Sequence, residues 1–325
     1  ILTLNAGILR QRANWLTDRL QLNDDEIKKI VRSQPHILGR TNLAPKIDWL
    51  QHRLKLDDDS LRKIIVSAPH IIPCSIEDNI EPTLEWLQSR LNLDDDALRK
   101  MIVRQPYTLG CSVHENLEPT LDWLQRRLDL DDVAISKMVR TYPQIMHLSI
   151  ESNLVIKIEW LQQRLDMDDN GGNGNYYYSD GEEDDDGSLQ RVSKMIQRFP
   201  GILGLSIDDN LEPKMEWIQN CFAMTEEALS EFILKFPSIL SCNVEKNLSP
   251  TLNFYIEALG GDEQRALSLL QSNPTLFAYS LEKRLQPRLE EAREVGIAVD
   301  ASCLRRIGQN SDDLWYAFLI RNRLL

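Results

Sequence analysis

The sequence contains no apolar run that approaches the roughly 18 residues a bilayer-spanning helix needs, so the chain reads as water-soluble. Cysteine is scarce. There are five, an odd number with no CxxC spacing, which excludes a disulfide framework and a tetrahedral zinc site and points to a reducing compartment. Cys74, Cys111 and Cys242 each follow a recurring proline by five residues, so they occupy one repeated slot, expected to hold small buried filler. The five histidines, His36, His52, His70, His114 and His147, have neither nucleophile nor metal-ligand spacing around them, and the 14 glycines form no phosphate-cradling loop. Paired carboxylates are common but fall at helix starts, where capping accounts for them. No catalytic residue, metal or cofactor is expected, and the chain does not read as an enzyme.

What is abundant is self-similarity. Residues 93–106, LDDDALRKMIVRQP, match residues 56–69, LDDDSLRKIIVSAP, at ten of fourteen positions. The closing proline recurs at Pro35, Pro69, Pro106, Pro143, Pro200, Pro237 and Pro274, in steps of 34, 37, 37, 57, 37 and 37 residues. A second proline follows 13 residues later in five units, at Pro82, Pro119, Pro213, Pro250 and Pro287. Pro45 comes 10 residues on in the shorter first unit, and Ile156 fills the slot in the fourth. Four residues past that slot stands Trp49, Trp86, Trp123, Trp160 or Trp217, then Phe254; Trp15 marks an earlier, truncated unit. Stacked repeats make one elongated domain of any length, so residues 1–325 are read as a single repeat domain.

Within the unit from Asp94 to Leu130, Leu98, Met101 and Ile102 take the i, i+3, i+4 spacing of a helix with one buried face, ending near Pro106. Its start carries a short polar cap, the role expected of Asn23, Asp57, Asp94, Asp131 and Thr225 in successive units, with Glu26 completing a capping box on Asn23. Beyond the proline come two or three aliphatic residues and then Ser75 with Asn79, Ser112 with Asn116, Ser149 with Asn153, or Ser206 with Asn210. This spacing is read as a turn, one turn of 3₁₀ helix, leading into a second helix whose first turn accommodates the second proline. Leu84, Trp86, Leu87 and Leu91 are the expected buried side of that helix. Two helices of this size cannot bury their own stripes, so neighbours must stack. The fold class is all-α, an α-solenoid (superhelix) of about seven to eight helix–helix–3₁₀ repeats of roughly 37 residues.

The formal charge is −13, from 37 basic and 50 acidic residues. Nine of the acidic residues fall in residues 166–187, DMDDNGGNGNYYYSDGEEDDDG, which also accounts for the long step; without it the balance is 37 against 41. That stretch reads as a disordered acidic loop inserted between two repeats, with Tyr176 to Tyr178 as partner contacts. Elsewhere the cations form columns. Lys29, Lys63, Lys100, Lys137 and Lys194 stand six residues before the recurring proline, with Lys28, Arg62 and Arg99 one position earlier. Arg104, Arg198 and Lys235, and also Arg32 and Arg140, extend the same face, opposite the apolar stripe. A second column, Arg19, Arg53, Arg90, Arg127 and Arg164, follows each tryptophan by four residues, within reach of stacking on the indole or of pairing with the next unit's acidic triplet. Regular positive charge along one wall suits a phosphate backbone; the same columns also fit solvated faces and inter-repeat ion pairs. Arg284, Arg288, Arg293, Arg305, Arg306, Arg321 and Arg323 concentrate charge near the end, to grip a bound strand or to solubilise a cap.

Three segments carry the complete pattern: RQPYTLGCSVHENLEPTLDWL, RFPGILGLSIDDNLEPKMEWI and KFPSILSCNVEKNLSPTLNFY. This pattern resembles the mitochondrial transcription termination factor (mTERF) family over nearly all of the chain, and Ser311-Asp312-Asp313-Leu314-Trp315 is similar to the short segment that often closes its members. The resemblance implies a left-handed superhelix, a mitochondrial or chloroplast address, and binding of double-stranded DNA or RNA in transcription termination, transcription regulation, RNA processing or ribosome assembly. On this reading the nucleic-acid contacts are the lysine and arginine columns, the protein is a monomer, and no membrane is involved. The alternative is a scaffold that recruits an RNA-modifying enzyme or assembly factor through its acidic loop. The chain opens at Ile1 rather than methionine and is silent on any targeting segment.

Overall fold

Asp57, Asp94, Asp131 and Thr225 sit in extended backbone just before a helix, and each side chain accepts a hydrogen bond from a first-turn amide, as the sequence predicts. Asn23 and Glu26 form the reciprocal capping box. Each of these caps stabilises its helix by about 1 kcal/mol. Two residues past the helix end the recurring proline opens a 3₁₀ turn, as at Pro106–Gly110, Pro143–His147 and Pro200–Gly204. The Ser-x-x-x-Asn segment that follows is not the expected 3₁₀ turn but a turn of π-helix, as at Ile76–Ile80, Val113–Leu117 and Ile207–Leu211, closed by i to i+5 bonds such as Ile80 N to Ser75 O at 3.0 Å. At Val113–Leu117 the capping is reciprocal: Ser112 Oγ accepts from Glu115 N at 3.1 Å, and Asn116 Oδ1 accepts from Ser112 N at 3.3 Å. A proline ring clashes with the carbonyl four residues back in a straight α-helix, and the wider turn relieves that clash. The fourth repeat has Ile156 in place of the proline and keeps the π turn, Ile150–Val155, with Ser149 Oγ accepting from Ser152 N at 3.2 Å, so the turn does not require the proline.

The computed structural model describes residues 6–39, 43–165 and 186–323. Every regular element among the described residues is helical, arranged in helix–helix–3₁₀ repeats, the α-solenoid class. The chain forms two compact units, residues 1–154 and 155–325. The first holds α1 (Ala6–Leu20), α2 (Asp24–Ser33), α3 (Leu43–Arg53), α4 (Asp58–Ser67), α5 (Glu81–Leu91), α6 (Asp95–Arg104), α7 (Glu118–Arg127) and α8 (Asp132–Thr141). The second holds α9 (Ile156–Leu165), α10 (Asp186–Arg198), α11 (Glu212–Phe222), α12 (Glu226–Lys235), α13 (Ser249–Ala258), α14 (Glu263–Ser272), α15 (Gln286–Glu294), α16 (Ala301–Gln309) and α17 (Asp312–Arg323). The acidic stretch and its tyrosines lie outside the described residues as far as residue 185; Asp186 and Gly187, expected in the loop, belong to α10.

In the first unit α2 packs on α4 and α4 on α6; in the second, α10 packs on α12 and α14 on α16. The 3₁₀ turns stack too, Pro69–Ile71 on Pro106–Gly110 and Pro200–Gly204 on Pro237–Ser241. Core residues come from the predicted stripe: Leu98, Ile102, Leu121 and Leu124 are fully buried. The tryptophans are not. Trp86 and its counterparts Trp49, Trp123, Trp160 and Trp217 are only half-buried, because the deepest places on that face go to Leu84, Leu87 and Leu91. The cysteine slot also differs from expectation: Cys74, Cys111 and Cys242 are half-buried and donate to carbonyls of their own 3₁₀ turns, Cys74 Sγ to His70 O at 3.4 Å for example. The second helix of a repeat ends on a left-handed residue, Gln21, Lys55, Asn92, Asp129 or Ala223. Gly260 fills that slot without the steric cost the others bear.

Candidate nucleic-acid interface

In α2, α6, α8 and α12 the first helix of the repeat begins acidic and ends basic, and in α4 Arg62 and Lys63 follow an acidic first turn. Its buried stripe, Leu61, Ile64 and Ile65 in α4, fixes the rotation, and Lys63 is therefore exposed. Lys29, Lys100, Lys137, Lys194 and Lys235 are exposed in the same way, as are Arg104 and Arg198. Their partners divide them. Lys100 pairs with Asp96 at 2.6 Å and Lys235 with Glu231 at 2.9 Å, both within one helix. Lys194 donates to Gln190 at 3.5 Å, and Arg198 donates to the Leu234 carbonyl at 3.3 Å. Arg62 bridges α4 to α2 through Glu26 at 2.7 Å and, with the Asn23 amide, holds that carboxyl below its usual range. Arg99 is drawn onto Asp96. Lys29, Lys63, Lys137, Arg32, Arg104 and Arg140 are exposed and have no ion pair among the described residues, although Lys29 lies near enough to Glu26 to help lower its pKa.

The arginine column that follows the tryptophans has another task. Arg90 of α5 reaches Asp122 on α7 and Asp132 at the start of α8, each at 3.3 Å, and Gln125 at 2.6 Å. Gln125 in turn donates to Asp132 at 3.0 Å. The same clamp recurs. Arg19 binds Asp48 and Gln51, and Gln51 donates to Asp58. Arg53 binds Glu81 and Gln88, and Gln88 donates to Asp95. Arg164 binds Glu212 and Glu226, and Gln219 donates to Glu226. Arg164 and then Gln219 lower the Glu226 pKa. Arg127 is half-buried at the corresponding position of α7. For Arg53, Arg90 and Arg164, named as nucleic-acid contacts from sequence, the guanidinium is thus engaged with carboxylates of following repeats and not with the indole of its own helix. The clamp glutamines, two residues after each tryptophan, were legible as a recurring letter.

A further row escaped the sequence reading. The residue after the second-proline slot is buried and polar in every repeat: Lys46, Thr83, Thr120, Lys157, Lys214, Thr251 and Arg288. Lys157 Nζ donates to Leu203 O at 2.7 Å and Lys214 Nζ to Leu240 O at 2.6 Å; each carbonyl lies near the end of a 3₁₀ turn in the next repeat. Lys46 does the same to Ile72 O at 2.7 Å. Burial lowers the pKa of both Lys157 and Lys214. Near the end of the chain Arg288 is 5% exposed and binds Ile307 O, Asn310 O and Asp312, while Arg284 donates to Asn310 O at 2.6 Å. These two arginines fasten the closing segment; they do not reach out to grip a strand. Trp315 of that segment is buried and donates to Glu291 at 2.6 Å.

No group of three or more histidine, cysteine or acidic side chains is placed to hold a metal among the described residues. No described helix is long and apolar enough to cross a membrane. No curated protein matches the chain. The mTERF sequence profile matches residues 1–166 and 188–313, which leaves out residues 167–187 of the acidic insertion and residues 314–325 at the end. The paired prolines and the Ser-x-x-x-Asn π turns recur through both matched stretches. The chain belongs to the mTERF family.

Proposed function

We propose that the protein is a non-enzymatic nucleic-acid-binding member of this family, acting as a monomer in organelle gene expression, in mitochondrion or chloroplast. Its substrate is the phosphate backbone of DNA or RNA, and its role lies in transcription termination, transcription regulation or RNA processing. The observation that carries this reading is the set of exposed cations without ion-pair partners on the first helices of successive repeats: Lys29, Lys63 and Lys137, with Arg32, Arg104 and Arg140. Because α2, α4 and α6 pack side by side, cations at one repeated position fall into a row. Such a row neutralises successive phosphates and releases their counterions, which makes affinity strongly salt-dependent. The arginines of the clamp are left out of the contact set.

Titration of the full chain with duplex DNA, duplex RNA and single-stranded probes at two salt concentrations tests the reading. Binding that weakens steeply with salt is expected; absence of binding at low salt refutes it. A second reading, a scaffold for a protein partner, is favoured by the exposed carboxylates of the π turns, Glu77, Asp78, Glu115, Glu151, Asp208 and Glu245. Partners captured equally well after nuclease treatment would favour the scaffold.

A further inference from the structure

The repeats do not share their positive charge equally. Between α4 and α6 lies a cleft of about 380 Å³ lined by Lys55, Lys63, Arg99, Lys100 and Arg104, with Asp57 as the single carboxylate of the lining. Its volume is that of a small-ligand site. Shifting the same positions back one repeat, to α2 and α4, gives Lys29, Arg62 and Lys63 facing Glu26, which already holds Arg62. Shifting them forward, to α6 and α8, gives Lys100, Lys137 and Arg140, with Asn92 and Thr141 in place of Lys55 and Arg104. The cleft is therefore a local maximum of cation density, made by letters that the neighbouring repeats do not repeat.

The partners of those cations matter as much as their number. Lys55 pairs with Asp95 at 3.1 Å across the two repeats, and Lys100 and Arg99 share Asp96. Lys63 and Arg104 have no ion pair or hydrogen bond from their side chains among the described residues. Asp57 already accepts from Ser60 N at 2.7 Å as the cap of α4, and the Ser60 hydroxyl, then its amide, lower the Asp57 pKa. Two cations without an ion pair thus stand beside three that are paired with Asp95 and Asp96 of the first turn of α6. Lys63 and Arg104 bring to the hollow charge that no carboxylate within ion-pair distance offsets, and an entering dianion or phosphodiester supplies that offset.

We propose that the α4–α6 cleft is a phosphate seat, the point at which a polynucleotide bound as described above is anchored. The seat rests on that reading for its biological ligand but not for its chemistry. Inorganic pyrophosphate at constant ionic strength is the first probe, since any ligand of the folded state raises the melting temperature by mass action. A rise is expected for the full chain and for the control Lys137→Gln/Arg140→Gln, and its loss is expected in Lys63→Gln/Arg104→Gln. Neither cleft side chain has a structural partner, so unchanged circular dichroism should accompany the loss. In polynucleotide binding the cleft variant should lose about tenfold or more in affinity, and the control distinctly less. A pyrophosphate shift that survives in the cleft variant overturns the seat, and so does equal loss of polynucleotide affinity in the two variants. A pyrophosphate shift that needs the cleft, in a protein that binds no polynucleotide at low salt, upholds the seat and overturns only the function proposed above.

Discussion

Lys214 has its amine against Leu240 O at 2.6 Å and Asn210 Oδ1 at 3.2 Å, in a place where burial pushes its pKa down. A buried carbonyl that loses its donor costs about 1–3 kcal/mol. Lys214→Met keeps the apolar stem and removes the donor, so urea unfolding should show a loss in that range; no change would mean the carbonyl is satisfied by water. Threonine at the equivalent Thr83, Thr120 and Thr251 explains why the slot hid in the sequence: lysine and threonine share no letter class, and only burial unites them. His70 and His147 make a second single-residue test. Burial lowers both pKa values from the ordinary 6.5, and for His147 the charge of His70 adds to the effect. Tyr107 packs against both rings, at 4.2 and 5.6 Å, and His147 faces Thr108 and Cys111. The unfolded chain takes up protons at 6.5 while the folded chain still resists, so stability falls as pH drops below 6.5 toward the lowered values. Denaturant midpoints from about pH 7.5 to about pH 5.5, above the carboxylate range, should decline in the wild type and stay flatter in His70→Gln/His147→Gln. Parallel declines would remove the histidines from the account.

Helix α5 shows how one element is fixed to the next two. Its face is set by Leu84, Leu87 and Leu91, and Arg90 beside them reaches Asp122, Gln125 and Asp132. Arg90 retains 20% side-chain exposure, so solvent screens the pairs and the clamp contributes about 1 kcal/mol rather than several. A double-mutant cycle with Arg90→Ala and Gln125→Ala should give a coupling of about 0.5 kcal/mol or more, because the two side chains share Asp132. Strict additivity would show that the clamp geometry is not maintained in solution. Helix caps, helix ends and the proline clock were legible because each depends on a few neighbouring letters. The π turn at Val113–Leu117 was not, since a serine and an asparagine four apart specify reciprocal capping but not the width of the turn between them. The tryptophans misled for a related reason. Their periodicity marks a face correctly, yet depth within that face is decided by the next repeat, which seats Leu124 fully and leaves Trp123 half out. The arginine column was read as a choice between ligand and ion pair, and the choice depended on where the following repeat places Asp122, Glu81 and Glu212.

Charge and cooperativity belong to the chain as a whole. On the proposed function a protein of net charge −13 needs its positive charge segregated, and the repeat places carboxylates at helix starts and π turns and lysines further along the first helices. The same modularity governs stability. Each repeat packs on its neighbours, so a repeat array behaves as a sum of local terms and nearest-neighbour interfaces. Ile102 is fully buried on α6, which packs on α4, and Ile102→Ala should cost roughly 2–5 kcal/mol for the lost apolar groups and the cavity together. In a globular domain that loss would lower protection everywhere. Here native-state hydrogen exchange should speed up in α4 and α6 and remain unchanged in α13, α14 and α15, whose contacts the substitution does not touch. Uniform acceleration along the chain would show one all-or-none unit in place of an additive array, and stability would then be a property of the full length and not of neighbouring repeats.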